Sequence, residues 1–178
     1  CKGRVKQAVV TTYTREFKIN NNDRNNGNWG IIKDGKRKRL APIYDNGNSF
    51  SPNIDENKIE KKLHYPEALY SGATNGITAY SIDGVNVAHF RDLLNSDIPE
   101  VAAAVKRVVP KIMLHRNDIR NLVDSIPETA FGYRVITKDR KIVYVDEMQI
   151  RLEKMLLPYY NRILSGKDDI ACDVSDQT

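Results

Sequence analysis

Two apolar stripes of helical period constrain this chain more than any other feature. Val101, Val105, Val108 and Ile112 recur at three- and four-residue steps, and Ile142, Val145, Leu152, Leu156, Tyr159 and Ile163 resume the pattern farther along. A helix of about 3.6 residues per turn gathers such positions on one face, which must then be hidden against other elements. The chain from about residue 55 onward is therefore expected to be mostly helical. Asp97 and Glu100 predict a capping box at the first stripe, with Pro110 kinking or breaking the helix behind it. Ser125-Ile126-Pro127 marks a boundary. The second stripe predicts a long final helix, interrupted at Pro158 and stopped near Gly166.

The beginning of the chain reads differently. Val5, Val9, Tyr13 and Phe17 predict an amphipathic helix over residues 4 to 18, followed by an asparagine-rich stretch. Residues 29–33 and 38–43 then read as two short strands around Asp34-Gly35, a hairpin signal, with Pro42 at a strand end or on an edge. Residues 79–84 fit either a strand or a loop. The expectation is a mainly α domain over residues 1–166 with one small β-hairpin, ending in a polar tail at 167–178.

Composition narrows the classes. With 178 residues, 40% of them hydrophobic, the chain can bury one core. A net charge of +5 suits polyanionic ligands without requiring them. Cys1 and Cys172 make no metal or disulfide framework, which points to a reducing, cytoplasmic setting. No apolar run approaches the ~20 residues of a membrane helix. A chain opening on Cys1 rather than methionine is expected to be a fragment, a processed chain or a trimmed one. His64, His89 and His115 are too scattered for a zinc site, and no G-x-S-x-G elbow is present. The cluster Lys36-Arg37-Lys38-Arg39 lacks interleaved aromatics and reads as a solvated hairpin tip, so direct nucleic-acid binding is not the expectation.

The chemistry concentrates at residues 19–50. Asp23 and Asn28 have the Asp-x-x-x-x-Asn spacing of a kinase catalytic loop, and Asp45 follows after one hairpin. Phosphoryl transfer needs a carboxylate to orient the attacking hydroxyl, and oxygen ligands to hold magnesium against phosphates. Asp23 fits the first role; Asn28 and Asp45 fit the second. A turn near residues 34–37 sets Trp29 opposite Pro42 and Asn28 opposite Ile43, so Asp45 leaves the hairpin beside Asn28.

The runs NNNDRNNGNWG and LAPIYDNGNSF together resemble the catalytic and metal-binding segments of HipA-like serine/threonine kinases, in the CtkA-like branch. The resemblance implies the C-terminal lobe of that kinase fold, with Asp23 as catalytic aspartate, Asn28 and Asp45 as Mg2+ ligands, and Tyr44 bordering the nucleotide. Asn25 stands near the phosphates where many members carry a histidine. It further implies ATP as co-substrate, a protein serine or threonine as acceptor, and an antitoxin or a separate N-terminal lobe as partner. A Gly-rich loop and a strand lysine, both needed to cover ATP, do not precede Asp23, and Gly72–Gly76 lies on the wrong side of the motif to replace them. Two other readings stand beside the enzyme: a non-catalytic lobe that binds a partner, and a basic nucleic-acid-binding module resting on net charge alone.

Overall fold

The computed structural model describes residue 17 and residues 19–21, 26–82 and 85–166, so the helix expected over residues 4–18, the tail from residue 167, and Asp23 and Asn25 lie outside the described residues. A 3-10 turn, Asn26–Asn28, leads into the antiparallel pair β1 (Ile31–Asp34) and β2 (Arg37–Leu40). Then come α1 (Glu56–His64), α2 (Pro66–Thr74), the hairpin of β3 (Ile77–Ile82) and β4 (Val85–His89), and the short α3 (Phe90–Leu94). The remainder is α4 (Pro99–Leu114), α5 (Arg116–Ser125), a two-residue hairpin of β5 (Thr129–Ala130) and β6 (Tyr133–Arg134), α6 (Lys138–Arg151), a π turn (Leu152–Leu156) and α7 (Leu157–Leu164).

The two stripes do what their period requires. Val101, Val105, Val108 and Ile112 of α4 meet Leu152, Leu156, Tyr159 and Ile163 in the main core, together with Phe17, Phe90 and Leu94. Phe17 stacks on Phe90 with ring centroids 3.8 Å apart, tying the start of the described chain to α3. Burying each such aliphatic side chain stabilises the fold by about 1.5–3 kcal/mol. A smaller cluster of Val123, Val145 and Met148, flanked by Ile19, Ile119 and Phe50, joins α5 and α6 to the segments that carry the chemistry.

Several boundaries differ from expectation, each for a local reason. Asp97 does not cap α4. Ile98 holds the N-cap position without a side-chain bond, and Pro99 opens the helix, where its fixed φ suits the first turn and its missing N–H would have been unsatisfied anyway. Pro110 does not end α4. Both it and Lys106, whose carbonyl loses its donor, lie on the exposed side, so water can serve the freed group. The final helix starts earlier than its stripe, at Lys138, where the Thr137 hydroxyl accepts from the Arg140 N–H. It runs on past Pro158 by widening into the π turn, where the Leu157 N–H donates to the Leu152 carbonyl. A proline at 158 cannot donate to Lys154 and would crowd its carbonyl; the wider turn relieves that clash. Gly166, at φ +65°, stops the helix as predicted.

The chain is mainly helical with a small antiparallel hairpin near its start, as the sequence implied, but that hairpin is not the sole sheet. Residues 79–82, read as strand or loop, belong to β3, which pairs with β4 across an irregularity between Ile77 and Tyr80. The first hairpin is shorter than predicted, with Gly35 and Lys36 as its two-residue turn. Gly35 takes φ +54°, a conformation that glycine adopts without strain. Among the described residues, no helix is long and apolar enough to cross a membrane.

A buried ionic knot joins α1, α2 and α6. Arg151, 1% exposed, donates from Nε to the Ala73 carbonyl at 2.9 Å and from Nη2 to Glu147 Oε2 at 2.8 Å. The second oxygen of Glu147 takes the Lys62 ammonium. Gly72 is packed so closely here that an added Cβ would lie 2.7 Å from Glu147 Oε1 and 2.8 Å from Lys62 Nζ. Removing the carboxylate strands the buried guanidinium, so Glu147→Ala is expected to lose roughly 3–5 kcal/mol in urea unfolding. A loss below about 1 kcal/mol, the size of an exposed ion pair, would show that the knot is peripheral.

Nearer the surface, Arg140 clamps the N-terminus of α1, donating to Glu56 Oε1 at 2.7 Å and to the Ile54 carbonyl at 2.6 Å. The Arg140 hydrogen bond holds the Glu56 carboxyl below its ordinary 4.5. A depressed folded value contributes stability above the unfolded carboxyl's pKa, lost as pH falls through the folded one. Burial pushes Asp146 the opposite way, so total acid stability mixes both signs. The difference in stability between wild type and Glu56→Gln isolates the clamp. It should be constant near neutrality and shrink below about pH 4.5.

Candidate active site

The asparagine-rich stretch and the segment around Asp45 are brought together by the first hairpin and by two stitches on either side of it. Ile31 pairs with Leu40 and Asp34 with Arg37. The strand pairing ends at Ile31–Leu40, short of the predicted Trp29–Pro42 and Asn28–Ile43 pairs. Beyond it the Ala41 N–H donates to the Gly30 carbonyl at 2.7 Å, and the Tyr44 hydroxyl donates to the Gly27 carbonyl at 3.0 Å. Gly30 is required at this seam, since a Cβ there would lie 3.0 Å from that of Ala41. Asn28, Trp29, Gly30 and residues 40–43 enclose only 10 Å³ of free volume, too little for a bound molecule.

The second stitch lies past Asp45. The Phe50 N–H donates to the Ile19 carbonyl at 2.7 Å, and Asn20 Nδ2 donates to Ser51 Oγ at 2.7 Å. The Phe50 ring packs on Tyr144 of α6, centroids 5.1 Å apart. Asn20, Asp45, Phe50 and Ser51 all have φ between +52° and +63°, a region that costs energy for residues with a Cβ and persists only when the surroundings impose it. At Asn20, Phe50 and Ser51 hydrogen bonds and stacking impose it. The strained positions fall on both sides of one junction, between the entry to the asparagine-rich loop and the exit from the Asp45 segment.

Each expected site residue can now be placed. Asn28 is 8% exposed in the 3-10 turn, and Asp45 is exposed at the open end of the hairpin. Tyr44 is 43% exposed, and its hydroxyl donates to the Gly27 carbonyl. Asp23 and Asn25 lie between Asn21, which is buried, and the 3-10 turn, outside the described residues. Asn28 and Asp45 are oxygen donors. The buried Oγ of Ser49, with no partner among the described residues, adds a third oxygen to the same segment. No group of three His, Cys, Asp or Glu suited to a metal occurs among the described residues. An oxygen-only set fits a hard cation such as magnesium. Sequence reasoning missed Asn20, Phe50 and Ser51, because left-handed backbone at a phenylalanine and a serine leaves no compositional trace.

This helical body, with a hairpin holding two motif segments at its open end, has a protein-kinase fold. In particular, the fold matches the crystal structure of a Helicobacter pylori proinflammatory kinase, CtkA, with a TM-score of 0.76 over 90% of this chain and 54% of that one. At 22% identity that match establishes the shared fold. In sequence the chain is similar to the serine/threonine-protein kinase CtkA of Helicobacter pylori (strain J99 / ATCC 700824), 26% identical over 113 residues. Those residues are 61% of this chain, and they span about a third of the relative, 34% of its length. No family model matches the sequence.

The Tyr44–Gly27 bond generates a test of the stitch. Tyr44→Phe keeps the ring and removes one hydrogen bond, so it should lower stability by about 0.5–1.5 kcal/mol. Amide exchange should accelerate chiefly in the first hairpin. Acceleration spread evenly over the helices would mean that the bond does not specifically hold this site.

Proposed function

We propose that this chain carries the base and metal side of an ATP-dependent kinase that transfers phosphate to a serine or threonine hydroxyl of a protein. Its place in that enzyme is the C-terminal lobe, and the Gly-rich loop and lysine that cover ATP come from a part of the enzyme outside these 178 residues. The supporting observation is that the two motif segments with kinase spacing are joined by the hairpin register and by both stitches, within a fold shared with CtkA. Bonds from Gly27 and Asn20 bracket Asp23 on both sides and attach its flanks to those of Asp45.

In this reading Asp45 and Asn28 hold magnesium, which neutralises phosphate charge when bound. Asp23 accepts a hydrogen bond from the acceptor hydroxyl and takes its proton as the oxygen bonds to the γ-phosphorus and the bond from that phosphorus to ADP breaks. Asn25 lies toward the phosphates, and the Tyr44 ring borders the nucleotide. A cleft of 290 Å³ between Pro52, Glu56, Ile136 and Tyr144 begins a few residues past Asp45 and gives a substrate segment a place to lie.

The two aspartates should separate on mutation in the enzyme that includes the nucleotide-covering lobe. Asp45→Ala should weaken magnesium-dependent ATP binding and turnover together, because phosphate charge is present in the ground state. Asp23→Asn keeps the shape and removes the base, so turnover should fall roughly 10²–10⁴-fold with ATP affinity nearly unchanged. The measurement pairs steady-state transfer with equilibrium ATP binding. If the rate of Asp23→Asn stays near wild type, Asp23 is only a loop residue; if the enzyme with its nucleotide-covering lobe transfers no phosphate at all, a partner-binding lobe takes the place of the enzyme reading.

A further inference from the structure

The first hairpin carries a feature that the kinase reading does not use. Residues 33–39 hold Lys33, Lys36, Arg37, Lys38 and Arg39 with only Asp34 against them, a net +4 on a chain whose whole net charge is +5. All seven are exposed, and among the described residues no side-chain hydrogen bond or ion pair engages any of the five cations. The register sets Lys33 directly across from Lys38, so two ammonium groups share one face of the ladder. Like charges in that position destabilise the pair. Lysines that merely blunt an edge strand do not need to face one another.

A surface of this kind attracts an anionic partner, and its other residues indicate which kind. Ile31, 52% exposed, lies on β1 beside the cations, and Ile43, 40% exposed, follows β2 by three residues. Interfaces with proteins combine apolar anchors with such a charged rim, whereas nucleic-acid surfaces without sequence preference interleave cations with several stacking aromatics. Among the described residues, the pair β1–β2 also forms a two-stranded sheet of its own, with no third strand on either outer edge.

We infer that the β1–β2 hairpin is a docking surface for an acidic, extended polypeptide segment carrying apolar side chains, drawn in by the five hairpin cations and seated against Ile31 and Ile43. The inference stands on the charge and exposure of the hairpin and does not rest on the kinase reading.

Fluorescence anisotropy on the 178-residue chain tests it with three labelled probes: a short peptide alternating glutamate with valine, the same peptide with glutamine for glutamate, and a single-stranded oligonucleotide of equal charge. The acidic peptide should bind at least about tenfold more tightly than the glutamine peptide and weaken as salt rises from about 0.05 to 0.2 M. Lys38→Glu with Arg39→Glu should lose that tenfold preference. Glu at 38 faces Lys33 as an attractive pair, so the variant should unfold no earlier than wild type. Lys36→Gln with Arg37→Gln, at and beside the turn, should give a smaller loss and guards against a folding defect. Lys106→Glu with Arg107→Glu, on the exposed side of α4, should bind as wild type does. Equal binding of the two peptides, unchanged binding by the hairpin variants, or tighter binding of the oligonucleotide than of the acidic peptide would each overturn the inference.

Discussion

The fold depends most on the buried contact between Arg151 and Glu147. An arginine 1% exposed is costly to desolvate, and burial lowers its pKa in proportion. Its cost is offset because every direction it faces offers an oxygen: the Glu147 carboxylate, and the carbonyls of Ala73 and Gly72 at the end of α2. Those carbonyls are the ones a helix C-terminus leaves without internal partners, so one guanidinium both caps α2 and completes an ion pair. Lys62 closes the arrangement from α1. Three helices are thereby fixed in relative rotation, which hydrophobic packing alone, being non-directional, would specify less sharply.

That fixed helical body gives the chemistry-bearing segments something to lean on. Phe50 rests on Tyr144 of α6, four residues from the Arg140 clamp, and Ile19 and Phe50 pack beside Val145 and Met148. The strained backbone at Asn20, Phe50 and Ser51 is held by contacts anchored on a helix that cannot easily rotate. Rigid support beneath irregular loops is how enzymes keep reacting groups in place, because a small misplacement costs a large factor in rate. The similarity to CtkA runs through this same body, and the proposed division of roles among Asp23, Asn28 and Asp45 rests on it.

Charge is distributed with equal economy. Among the described residues, the interior cations are answered by carboxylates or carbonyls, and the surface pair of Glu56 and Arg140 fixes the start of α1. The cations of the first hairpin are not answered, which is why nearly all the net charge of the chain is exposed at one tip.

The sequence by itself determined the elements whose signals are local. Helical stripes at 101–112 and 145–163 named core positions correctly, because a period of about 3.6 residues puts apolar positions on one side whatever lies opposite, but Ile142, at the start of the second stripe, stays 40% exposed. The register of the first hairpin followed from its glycine turn, and with it the approach of Asn28 to the segment of Asp45. Tertiary structure alone decided the rest. Pro110 and Pro158 look alike in sequence, yet one is absorbed at an exposed carbonyl and the other forces a π turn, because the outcome depends on what surrounds the freed group. Asp97 lost the cap of α4 to the geometry of Pro99. Nothing in the sequence singles out Glu147 and Arg151, one turn apart, and only the arrival of Lys62, Gly72 and Ala73 from some 75 or more residues away makes them the center of the fold. Long-range desolvation and backbone strain depend on neighbours that a linear sequence does not name.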